Sequence, residues 1–115
     1  MDAQSARIPV AVADAIQAPE NRILLSVASI WEIQIKVSTG KLRLGGDLPT
    51  IVAEQRSAGL SILPVMPRHV FALDGLPDHR RDPFDRFLIA QAQCDGLTHI
   101  TADPQIARYP VATLW

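Results

Sequence analysis

The feature that most constrains how this chain can fold is its alternation of short aliphatic runs with segments of helical period. Ile23-Leu24-Leu25-Ser26-Val27 is a continuous apolar run of strand length, the pattern of a strand buried on both faces in a parallel sheet. Ala28–Ser38 follows as a helix, with Ile30, Ile33 and Val37 on one face and Trp31 and Ile35 on another. The alternation then repeats. Leu60 to Val65 reads as a second strand, Pro67 to Leu73 as a short helix and Pro77 to Arg81 as a polar loop. The most regular helix runs from Asp82 to about Cys94, Leu97 to Thr101 is a third strand, and Val111 to Leu114 is a fourth. A helix over Ile8–Ala18 precedes all of these, with Pro9 suited to its first turn. Strands interleaved with helices predict the α/β class, with a mostly parallel, doubly wound sheet.

The punctuation agrees with this order. Pro19-Glu20-Asn21 ends the first helix, because a residue before proline is pushed out of the α region. Ser26 or Ser29 is placed to cap the helix that follows the first strand, and Gly40 lies where a helix stop wants it. Asp47 heads a further helix with Pro49 near its start and Gly59 at its end. Gly96 stands just beyond the long helix. There is no repeat, no low-complexity tract and no linker, so residues 1–115 are expected to form a single domain.

Composition narrows the function classes. The 12 acidic and 11 basic residues leave a net charge of −1, which excludes a polycation gripping nucleic acid by bulk electrostatics. One cysteine, Cys94, cannot form an internal disulfide and points to a reducing compartment. A buried, inert thiol is expected there. No apolar run approaches the ~18 residues of a membrane span, and Met1-Asp2-Ala3-Gln4-Ser5 lacks the order of a signal peptide. A cytoplasmic domain with no membrane partner is the expectation.

In an open α/β sheet, ligands gather beyond the carboxyl ends of the strands. Three acids fall there. Glu32 lies in the first turn or so of the helix after Ile23–Val27, Asp85 in the first turn of the helix that starts at Asp82, and Asp103 directly after Leu97–Thr101. Converging carboxylates offer the hard oxygen ligands that Mg2+ or Mn2+ takes. Such an ion can orient a water and neutralise the charge developing on a phosphodiester. Each acid also has a structural reading: Glu32 can pair with Lys36 at i,i+4, Asp82-Pro83-Phe84-Asp85 has the layout of a helix cap, and Asp103-Pro104 can be a turn.

Basic residues surround these positions. His79-Arg80-Arg81 enters the long helix, Arg86 follows Asp85, and Lys36, Lys41 and Arg43 follow Glu32. Of these, Lys36, Arg80, Arg81 and Arg86 are candidates to hold RNA phosphates. Lys41 and Arg43 read better as a solvated surface. His69, His79 and His99 show no mutual ligand spacing, which argues against zinc. Trp31 and Trp115 read as packing residues. G-x-G-x-x-G and G-x-S-x-G are both missing, and Leu42 stands after Gly40-Lys41 where a phosphate loop needs Ser or Thr.

Ser29-Ile30-Trp31-Glu32-Ile33-Gln34-Ile35-Lys36, Gly40-Lys41-Leu42, the run His79 to Ala92 (HRRDPFDRFLIAQA) and Thr101-Ala102-Asp103 together resemble the VapC-type toxins of the PIN-domain ribonuclease family. The resemblance runs from about Pro19 to Trp115. It implies a three-layer α/β/α fold and a Mg2+- or Mn2+-dependent endoribonuclease, the toxin of a type II toxin–antitoxin pair. It further implies a VapB-like antitoxin partner, an RNA substrate and a homodimer. By position, Glu32, Asp85 and Asp103 match three acids of the family's metal site, and Asp82 matches a fourth acid of the helix-start motif.

The sequence departs from the family at one place. The family opens with an apolar strand ending in D-T-H, which supplies the central strand and the first metal-binding Asp, and nothing here matches it. Asp2 follows only Met1, and Asp14 falls inside the first helix. The first, central strand is therefore expected to be missing. That weakens a metal site, since affinity follows ligand number and charge, and leaves two strand edges unpaired. The alternative reading is a degenerate, weakly active or inactive relative that still binds antitoxin. A phosphoacceptor receiver is disfavoured, because both lysines, Lys36 and Lys41, come early.

Overall fold

The computed structural model describes residues 9–77, 82–101, 103 and 105–114. The elements run α1 (Val10–Gln17), β1 (Leu24–Ser26), α2 (Val27–Ser38), α3 (Leu48–Ser57), β2 (Ser61–Leu63) and α4 (Pro67–Phe71). After the 3-10 turn Ala72–Gly75 come α5 (Pro83–Asp95), β3 (His99–Ile100), the 3-10 turn Ile106–Arg108 and β4 (Thr113–Leu114). His79, Arg80, Arg81 and Trp115 lie outside the described residues.

Local signals set the helix ends where expected. The Ser26 hydroxyl accepts from the Ala28 amide at 3.0 Å, so Ser26 and not Ser29 caps α2. Asp47 caps α3, accepting from the Thr50 amide at 3.2 Å and the Thr50 hydroxyl at 3.0 Å. At α5, an Asp82 carboxylate oxygen accepts from the Phe84 amide at 2.8 Å and the Asp85 amide at 3.4 Å. Pro83 occupies the first helical position, where its missing N–H costs nothing. Gly96 ends α5 at φ 66°, ψ 36°, the left-handed region that disfavours any side chain. Because Ser26 caps, Val27 opens the helix and does not extend the strand.

The strands are shorter than the aliphatic runs, and they do not form one sheet. β1 pairs in parallel with β2, Leu25 opposite Ile62. β3 pairs in parallel with β4, His99 opposite Thr113. Among the described residues these two ladders are separate, so the parallel direction is as predicted and the continuous doubly wound sheet is not. A cavity of about 550 Å3 lies at their junction, lined on one side by Leu24 and Leu25 and on the other by His99 and Ile100, with Leu88 and Ala92 of α5.

Helix α5 positions everything else. Ile89 and Ala90 are fully buried against Leu76, Ile106 and Tyr109, and Leu73 and Val111 pack on the same cluster. Fully burying one such aliphatic side chain contributes about 1.5–3 kcal/mol, which anchors α5 between α2, α4 and the 3-10 turns. On α2, Ile30, Ile33 and Val37 are half-buried while Trp31 and Ile35 are exposed. The two predicted faces are therefore an inner and an outer one. Trp31 is 63% exposed, its ring edge-on to Phe84 at 5.0 Å, so it lies on the surface and not in the core.

Candidate functional site

The three predicted ligands lie on α2, on the first turn of α5 and in the turn after β3. Glu32 is in the second turn of α2, Asp85 in the first turn of α5, and Asp103 two residues past Thr101, whose amide donates to the Leu114 carbonyl. The Trp31–Phe84 ring contact joins the residues just before Glu32 and Asp85, which ties α2 to the head of α5. Asp85 also acts electrostatically on His99. Burial pushes the His99 imidazole below its usual range, and the Asp85 carboxylate opposes that by favouring the charged ring.

Glu32, Asp82 and Asp103 also do structural work. Glu32 pairs with Lys36 at 3.4 Å, the i,i+4 bridge expected from the spacing, which contributes only about 0.3–0.5 kcal/mol. Asp82 caps α5 as described. An Asp103 carboxylate oxygen accepts from the Gln105 amide at 2.9 Å, and its own amide donates to the Thr101 hydroxyl at 3.1 Å, which shapes the turn after β3. The Arg86 guanidinium donates to the Pro77 carbonyl at 2.8 Å and ties the first turn of α5 to that residue. Lys36 is on the surface of α2 with Glu32.

The donor chemistry of Glu32, Asp85 and Asp103 is that of a hard divalent cation. They do not all lie within 4.8 Å of one another. Among the described residues, the one group of three His, Cys, Asp or Glu side chains with ligand atoms within 4.8 Å is His69, Cys94 and Asp95.

That second group was not anticipated, and its hydrogen bonds give it a different role. His69 is fully buried. Its Nδ1 accepts from the Met66 amide at 3.0 Å and faces the Gln91 amide nitrogen at 3.2 Å. Nε2 therefore carries the proton and donates to Asp95 at 2.9 Å, with no lone pair left for a metal. The Arg68 guanidinium forks onto both Asp95 oxygens, at 3.0 and 3.2 Å, and repels a cation from them. Arg68 first, and His69 second, hold the Asp95 carboxyl well below the usual carboxylate range. Cys94 is exposed, not buried as expected, because it falls on the outer face of α5.

The unit continues inward. The Ser26 hydroxyl donates to Gln91 Oε1 at 2.5 Å, and the Gln91 amide also donates to the Pro64 carbonyl at 3.3 Å. Ser26, Gln91, His69, Asp95 and Arg68 thus form one polar chain from the end of β1 through α5 to α4. The buried members are satisfied, as a low-dielectric interior requires. Its sequence signal was faint: a glutamine in the middle of an apolar helix face, one turn before Asp95.

A search by sequence places a PIN-domain match over residues 6–112. No curated protein and no solved structure matches the chain at a significant level. The alternation of helices with short parallel strands agrees with the three-layer α/β/α architecture of that family. With the match spanning nearly its whole length, the chain belongs to the PIN-domain family.

Proposed function

We infer that this chain is a metal-dependent endoribonuclease of the VapC type, the toxin of a toxin–antitoxin pair, acting in the cytoplasm. PIN domains are generally metal-dependent nucleases, and the chain's membership supports that class of activity. The observation that carries the reading is the family match, and the packing of α2 against the head of α5 beside Glu32 and Asp85 supports it. The Trp31–Phe84 contact holds the Glu32 and Asp85 helices together, and Asp85 acts on His99 of the strand that leads to Asp103.

In this reading Glu32, Asp85 and Asp103 would hold Mg2+ or Mn2+, with Asp82 as an additional ligand candidate, and the bound ion would supply Lewis-acid activation of water and charge neutralisation at the scissile phosphate. The protein's own contribution is placement. Asp82 fixes the first turn of α5 and so the direction of Asp85, and the Thr101–Asp103 turn fixes Asp103. Lys36, Arg80, Arg81 and Arg86 offer cationic groups to the RNA backbone. A VapB-like antitoxin and a second toxin copy are the proposed partners.

One observation favours a second reading, a degenerate relative that binds antitoxin without cutting. The Glu32, Asp85 and Asp103 carboxylates do not all lie within 4.8 Å of one another, and the strands among the described residues form two separate ladders. Purified protein with Mn2+ and a labelled RNA separates the two. Cleavage that is lost in EDTA and in Asp85→Asn is the expected result. Equal cleavage in EDTA refutes the metal mechanism, and a metal-loaded protein that binds antitoxin but leaves RNA intact establishes the second reading.

A further inference from the structure

Two contacts join α2 to α5, and they lie at different depths. Inside, the buried Ser26 hydroxyl donates to Oε1 of the buried Gln91 at 2.5 Å. At the surface, the Trp31 and Phe84 rings meet edge-on with their centroids 5.0 Å apart. Along α2 the order is Ser26 then Trp31, whereas along α5 it is Phe84 then Gln91, so the two helices run antiparallel. Glu32 and Asp85 each follow the ring contact by one residue, which puts them at the same end of the helix pair. The Gln91 amide is oriented from its other side as well. Its nitrogen donates to the Pro64 carbonyl at 3.3 Å and faces His69 Nδ1 at 3.2 Å, which leaves Oε1 for the Ser26 hydroxyl.

We propose that Gln91 is a positioning residue for Glu32 and Asp85, holding through Ser26 the register of α2 on α5 in which the two carboxylates serve one divalent ion. The proposal rests on the metal-dependent reading above and adds to it a residue that acts only through the helix carrying it, since Gln91 is buried and six residues from Asp85. The physical reason is directionality. A buried hydrogen bond has a narrow geometry and no water to replace it, so it fixes both the register of α2 along α5 and the roll of α5 about its own axis. The ring contact at the surface leaves no polar group unpaired when it slides, and it fixes neither. A side-chain tip lies about 5–6 Å from its helix axis, so a roll of about 10° moves it by about 1 Å. A working set of ligands tolerates only about 0.5 Å.

The test is Mn2+ binding to the full chain by isothermal titration calorimetry, reading the site that Asp85→Asn removes. Gln91→Leu is expected to raise the Mn2+ Kd about 10-fold, the low end of what losing a supporting hydrogen bond costs a metal site. Ser26→Gly breaks the same bond from the other side while keeping a good N-cap. The same rise is expected there, and this variant carries the test if Gln91→Leu does not fold. Gly96→Ala strains the far end of α5 without touching either contact and is expected to leave the Kd unchanged, which separates positioning from a general loss of stability. A parent-like Kd in Gln91→Leu, or in Ser26→Gly where Gln91→Leu does not fold, overturns the positioning role alone. An equal rise in Gly96→Ala overturns it too. A parent chain that binds no Mn2+ overturns the metal-dependent reading itself, and the positioning role falls with it.

Discussion

The Ser26–Gln91 hydrogen bond is the most exposed point of the reasoning, since it makes a buried polar chain the organiser of this small domain. Replacing Gln91 by Leu keeps most of the volume, so little cavity is created. Gln91 is 1% exposed and Ser26 is 6% exposed. After Gln91→Leu the Ser26 hydroxyl still accepts from Ala28 but has lost its acceptor at 2.5 Å. His69 Nδ1 keeps the Met66 amide, and Pro64 is exposed, so its carbonyl turns to water. The cost is therefore that of one buried unsatisfied donor, about 1–3 kcal/mol.

Ser26→Ala removes the same bond and the cap of α2 as well, so about 2–4 kcal/mol is expected. In the double variant the shared bond is counted once, and the sum of the single effects should exceed the measured effect by about 1–2 kcal/mol. Urea unfolding followed by circular dichroism reads these values. With m near 2 kcal/mol/M, each single variant lowers the midpoint by about 0.5–2 M. Additivity within about 0.5 kcal/mol, or a Gln91→Leu variant as stable as the parent, would refute the organising role of the chain.

Two further predictions follow from the same geometry. Gly96→Ala meets no atom within 4 Å but must hold φ 66°, so the cost is backbone strain alone, about 1–2 kcal/mol, read as a fall of several degrees in Tm. Asp95 has a folded pKa depressed below the ordinary value of 3.8, so its contribution to stability is present above about pH 4 and is lost as pH falls toward the folded value. Asp95→Asn should therefore flatten the acid limb of the stability profile below about pH 4, and an unchanged limb in urea titrations at stepped pH rejects the Arg68–Asp95–His69 unit as its source.

The sequence carried most of what is local. Ser26, Asp47 and Asp82 were legible as caps, and Gly40 and Gly96 as helix ends, because these signals depend only on a residue and the next few amides. The same holds for Glu32 with Lys36, one helical turn apart. The order of elements was legible from the aliphatic runs, although each strand is trimmed at its ends: a run of apolar residues marks burial, while a strand also needs a paired neighbour. Cys94 and Trp31 were misjudged for a related reason. Which face of α2 or α5 points outward is settled by the neighbours packed against it, not by the residue's own polarity.

By itself, then, the sequence determined the α/β class and the parallel direction of strands joined through helices. Those follow from short-range rules of period, capping and crossover. Only the tertiary structure decided that, among the described residues, the strands form two separate ladders with a cavity at their junction. It alone showed that Gln91 and His69, far from Ser26 in the chain, complete a buried polar chain. It also decided that Asp95 is held by Arg68 and His69. These outcomes depend on hydrogen-bond partners separated by 22 to 65 residues, and a pairing over that separation is fixed by how the whole core packs.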